Sequence, residues 1–119
     1  MKAAASSQLG RIRVSDEAIA EIAATAALKV HGVAGLGTAG RLETLAQVLG
    51  VDSGGRGVSV ETAGREAGLR LNLLVDFGCD IAAVGLAVQE AVREAVEDMT
   101  GLAVSEVEVL VQGVRGRGR

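Results

Sequence analysis

The chain has 119 residues, enough for one domain, since a single hydrophobic core commonly occupies about 100–150 residues. With 49% apolar and 23% charged residues it is globular rather than disordered, and no stretch reaches the roughly 18 apolar residues of a membrane span. A formal charge of −3 and a pI near 5.1 set the bulk of the protein against nucleic acid and anionic lipid.

Residues 1–8 carry one Lys and a short Ala/Ser run, too weak for a secretory signal, and read as a flexible leader. Gly10 to Val14 alternates polar and apolar residues, the pattern of a short strand. Ser15 then offers an N-cap hydroxyl, and Asp16 and Glu17 put negative charge in a first helical turn. Ile19, Ile22, Ala23, Ala26, Ala27 and Val30 recur at helical spacing. Lys29 and His31 fall where positive charge suits the helix end, and Gly32 is a natural residue to follow it.

Residues 32–40 are Gly-rich and fit no element. Leu42, Leu45, Ala46 and Leu49 predict a short second helix that stops at Gly50, with a loop after it at 52–55. Val58, Val60 and Thr62 alternate with polar residues in a strand, and Gly64 to Gly68 make the turn. Leu69, Leu71, Leu73, Val75 and Phe77 then line one face of the strongest strand. Arg70, Asn72 and Asp76 lie opposite, so the sheet is expected to be covered on one side only.

Gly78 precedes Asp80, which can cap a long helix running to about Thr100. Val84, Val88, Ala91, Val92, Ala95 and Met99 form its apolar stripe; Glu90, Arg93, Glu94, Glu97 and Asp98 form its solvated face, and Gly101 ends it. Arg93 and Glu97 have the spacing of a surface ion pair. A last strand buries Val107, Val109 and Val111 with Glu106, Glu108 and Gln112 opposite. It gives out at Gly113, before a flexible Gly/Arg tail at 115–119. The order β-α-(α)-β-β-α-β predicts an α+β two-layer sandwich, two long helices packed on one face of a small sheet, with residues 9–114 as its single domain. Phe77 is the only aromatic residue, so small aliphatic side chains must fill the core and bring helices close to the sheet.

No constellation for chemistry emerges. A metal site needs several His, Cys or carboxylate ligands at workable spacing, and the chain has one His and one Cys. His31 reads as a capping cation and Cys79 as a plain small thiol in a reducing compartment. An acyl-metabolism enzyme using Cys79 as nucleophile is the enzymatic alternative, with only His31 to serve as base. Glu90 and Glu94 sit one turn apart on a solvated face, not as an acid/base pair. Gly35 to Gly40 spells GxGxxG, but no strand precedes it and no βαβ unit follows, so neither catalytic residues, cofactor nor metal is assigned.

Gly32-Val33-Ala34-Gly35 is a GxxG in an order like that of the KH type of RNA-binding domain, whose loop clamps a nucleic-acid backbone. That alternative would use Gly32, Gly35, Arg41 and the tail residues Arg115, Arg117 and Arg119. The loop interior carries no cation and the domain is acidic, which disfavours it.

Several segments in order resemble the alkaline-shock-protein family, the Gls-type envelope stress proteins. They are Gly10 to Ala23, the Val30-His31-Gly32-Val33-Ala34-Gly35-Leu36 loop, Gly57 to Glu61, Leu71 to Gly78, Val88 to Leu102, and Val107 to Gly113. The resemblance covers about residues 9–114; it departs at Ala82, where the family often carries Pro. It makes Gly32, Gly35, Gly78, Gly101 and Gly113 structural glycines. It implies a non-catalytic cytoplasmic protein of the bacterial envelope or alkaline stress response, with no cofactor. It also implies protein partners, among them an integral membrane anchor in some relatives, and places some relatives near lipid metabolism. An exposed strand edge and the acidic face of the last helix are the expected partner surfaces, with self-association one use of them.

Overall fold

A computed structural model of the chain describes residues 3–37 and 57–116, with side chains from residue 8 onward. Strands β1 (Ala3–Ser7) and β2 (Gly10–Val14) lead into helix α1 (Asp16–Leu28) and strand β3 (Val33–Leu36). After residue 57 come β4 (Val58–Ala63), β5 (Glu66–Asp76), helix α2 (Ile81–Thr100) and β6 (Ala103–Arg115).

Both helices begin as their capping residues dictate. The Ser15 hydroxyl accepts the Ala18 amide at 3.0 Å, and the Asp80 carboxylate accepts that of Ala83 at 3.2 Å, each satisfying a first-turn N–H. At the other end of α2, Gly101 takes a left-handed conformation and donates to the Glu97 carbonyl at 2.9 Å. Helix α1 stops sooner than expected, at Leu28, with Lys29 as its cap. Lys29 and Val30 donate back three residues, and this tightened turn leaves His31 in an exposed turn beyond the helix.

Strand β5 is the axis of the sheet. Its N-terminal half pairs antiparallel with β4, from Val58 opposite Leu71 to Ala63 opposite Glu66. Its C-terminal half pairs with β3 on the same edge, Leu36 opposite Leu73 and Val33 opposite Val75. Asn72 stands at the junction: its N–H donates to Gly57 at 2.8 Å and its carbonyl accepts from Gly37 at 2.9 Å. Along the other edge β6 runs parallel, from Ala103 opposite Glu66 to Arg115 opposite Asp76, and α2 is the crossover that makes a parallel pair possible. The register of that pair slips twice, the second time where Gly113 comes opposite Leu74.

Both helices cover one face of the sheet. Ile19, Ala23 and Ala27 of α1 and Val84, Val88, Val92 and Val96 of α2 are buried against Ala67, Leu69, Leu71, Leu73 and Val75 of β5. No polar or charged side chain among the described residues is buried. The outer face is polar: Arg70 meets Glu108 at 3.0 Å, and Gln112 donates to Asn72 at 3.3 Å. This is the one-sided α+β sandwich that strand alternation predicts.

The order among the described residues is β-β-α-β-β-β-α-β, which adds two strands to the expected one. Ala3–Ser7, read above as leader, form β1 and pair with β2 in a separate two-stranded ribbon, Ala3 opposite Val14. The Gly-rich run after α1 holds β3, because Gly32 turns the chain straight onto the C-terminal half of β5. The second helix expected at 42–49 lies outside the described residues. Arg115, assigned above to the tail, ends β6.

Phe77 does not continue the buried face of β5. The strand ends at Asp76, Phe77 is 75% exposed, and its N–H donates to the Arg115 carbonyl at 2.9 Å. Met99 likewise leaves the buried stripe of α2 and is 69% exposed.

Candidate interaction surfaces

The groups capable of chemistry are scattered. Cys79 is half-buried and packs against the edge of the core, and exposed His31 lies beyond the end of α1. The intervening Gly32 is tucked against Cys79 and Val84. Among the described residues no three His, Cys, Asp or Glu side chains come together as a metal site would require. Glu97, expected on the solvated face and paired with Arg93, instead turns inward. Its carboxylate accepts the Val104 amide at 2.9 Å, tying the end of α2 to the start of β6.

The residues of the RNA-binding alternative are not assembled. Gly32 is a buried turn residue whose carbonyl accepts from Asp76 at 2.9 Å, and Gly35 is a strand residue opposite Leu74. The GxxG thus leads into a paired strand rather than standing out as a loop. Arg115 is exposed at the far end of β6, while Arg41, Arg117 and Arg119 lie outside the described residues. Of the remaining motif glycines, Gly78 turns the chain between β5 and α2.

Two surfaces among the described residues are open to a partner. One is the outer edge of β6, a 13-residue strand with no strand on that side among the described residues. Near its start Gln89 of α2 donates to the Val107 carbonyl at 2.9 Å, and a recess of about 540 Å³ runs between α2 and residues 104–107. Leu86 and Leu110, both exposed, lie on the two elements that flank the edge. A strand edge of this length presents backbone groups to which another chain can pair.

The other is a groove of about 780 Å³ between the two helices, lined among the described residues by the helices and by Lys29 and Val30 just past α1. Its walls are apolar and small: Ile22, Ala26 and Val30 on one side, Ala91, Ala95 and Met99 on the other. Among the described lining residues, Glu21, Glu94 and Asp98 stand against the one cation Lys29. Sequence reading put all six apolar residues in the two apolar stripes, and Ile22, Ala26 and Val30 do pack partly against the core while also lining this groove.

Comparison with known proteins gives the chain its relatives. The model of the alkaline-shock ASP23 family, described as of cell envelope-related function, matches residues 4–116. The uncharacterized protein YloU of Bacillus subtilis is 34% identical over 107 residues, 89% of this chain and 89% of its own. The uncharacterized protein YqhY of the same organism is 32% identical over 108 residues, 90% of this chain and 78% of its own. A cadmium form of the MamM CTD superposes on 87% of this chain and 100% of its own with a TM-score of 0.50 and 17% identity, a likeness of fold alone.

Proposed function

The chain belongs to the alkaline-shock ASP23 family, and on that footing we propose that it is a non-catalytic protein-interaction module of the bacterial cell envelope. It serves the envelope or alkaline stress response from the cytoplasmic side, recruited to the membrane by a protein partner, and self-association through the β6 edge is one of its modes. The observation that carries this reading is the pairing of a family described as envelope-related with open apolar and strand-edge surfaces among the described residues. No described helix is long and apolar enough to cross a membrane. A formal charge of −3 opposes direct contact with an anionic lipid surface, which supports recruitment through a protein partner.

Strand addition at β6 supplies affinity through backbone hydrogen bonds, and Leu86 and Leu110 supply apolar contacts beside them. The test is cross-linking of the full chain in living bacteria followed by membrane fractionation and identification of the cross-linked proteins. The expected result is recovery with the envelope fraction through named membrane-protein cross-links, weakened by Leu86→Lys with Leu110→Lys. A protein found wholly in the soluble fraction with no cross-link overturns the proposal.

A further inference from the structure

We propose that the groove between α1 and α2 is a docking site for an amphipathic helix whose apolar stripe is flanked by Lys or Arg. The inference deepens the interaction-module reading and rests on it.

Shape comes first. Helix α1 has 13 residues, so the groove can run beside about 20 Å of a third helix, or some three to four turns. Ala26, Ala91 and Ala95 keep the walls low, which lets a helix backbone approach closely, while Ile22, Val30 and Met99 give it side chains to interlock with. Met99 is 69% exposed, and an unbranched flexible side chain of this kind adapts to an incoming apolar surface.

Charge decides the occupant. With Glu21, Glu94 and Asp98 against Lys29, the described lining residues carry a net of two negative charges. A second copy docking face to face would bring these carboxylates together, and an anionic lipid surface would meet them with its own charge. A helix with basic flanks instead sets Lys or Arg beside them at the rim, where such pairs govern partner choice and association rate. Occupants with a polar but acidic face are rejected by the same carboxylates.

The test uses the full chain and two fluorescein-labelled helical peptides of about 18 residues, roughly five turns. They share one Leu/Ala stripe and differ in being flanked by Lys or by Glu. Fluorescence anisotropy should show the Lys peptide binding about tenfold tighter than the Glu peptide at low salt, the margin shrinking toward about 0.5 M salt. Met99→Lys should abolish binding while leaving the circular dichroism unchanged, and Glu94→Lys with Asp98→Lys should reverse the preference. Hydrogen exchange should slow in α1 and α2 on binding and stay unchanged in β6. Equal binding of the two peptides, no binding of either, or indifference to Met99→Lys overturns the proposal. So does dissociation of a dimer by Met99→Lys, which would make a second copy the occupant, or displacement of the peptide by a fatty acid. These outcomes leave the envelope cross-links untouched, so the groove and the wider reading fail separately.

Discussion

Gly32 and Gly101 show how differently one residue type can be required. Both sit at positive φ, +100° and +79°, where a side chain is strained. At Gly101 an added Cβ meets open space, so Gly101→Ala costs only the backbone term of about 1 kcal/mol. At Gly32 the same Cβ would stand 2.7 Å from Val84 Cγ2, in the core where α2 begins. Gly32→Ala therefore adds overpacking, typically about 1–3 kcal/mol, to the backbone cost. Urea unfolding should give a clearly lower midpoint for Gly32→Ala than for Gly101→Ala at similar slope. Equal midpoints would mean that Val84 moves aside at no cost. The core valines make the opposite case: Val92 is fully buried with no ring nearby to close a gap, so Val92→Ala should cost about 2 kcal/mol in the same measurement.

At the scale of elements, the sequence was most legible where one residue acts on its neighbours. Ser15, Asp80 and Gly101 mark helix ends through local hydrogen bonds and backbone conformation, and period-two alternation separates Leu69, Leu71 and Leu73 from Arg70 and Asn72. What was hidden depends on elements meeting. Phe77 fits the alternation of β5 but falls one residue past its end. Glu97 looks solvated until β6 brings the Val104 amide within 2.9 Å. Residues 33–36 carry no strand pattern because pairing with the end of β5, not propensity, extends them. The groove was illegible for the same reason, since Ile22 and Ala95 read as apolar-stripe residues and their part in its lining depends on how the two helices meet. Two side chains of α2 fasten the start of β6, Gln89 to the Val107 carbonyl and Glu97 to the Val104 amide. Removing both with Gln89→Ala and Glu97→Ala should cost about 1 kcal/mol each, with amide exchange accelerating at residues 103–107 and not in β4. A uniform acceleration across the sheet would show the two bonds to be part of global stability rather than a local clasp.

Across the whole molecule, the division between a helical layer and a polar outer sheet face limits what it can bind. The outer face offers Glu61, Glu106 and Glu108, with Arg70 already paired to Glu108, so it repels phosphate. The helical layer has its acidic groove. The RNA-binding alternative read from the sequence rests on the C-terminal arginines, of which Arg115 is exposed at the end of β6. Three cations can release only a few counterions from a single strand, and the salt dependence follows from their number. A slope of about −0.7 per neutralised phosphate gives a log–log slope near −2 for Arg115, Arg117 and Arg119 together. Anisotropy of a labelled single-stranded RNA should therefore show weak binding at low salt, a slope no steeper than about −2, and none after removal of residues 115–119. A steeper slope, or binding that survives the truncation, would require a phosphate-contacting surface elsewhere. The Gly32–Gly35 backbone that resembles a phosphate clamp does not supply one, because it is committed to the pairing of β3 with β5.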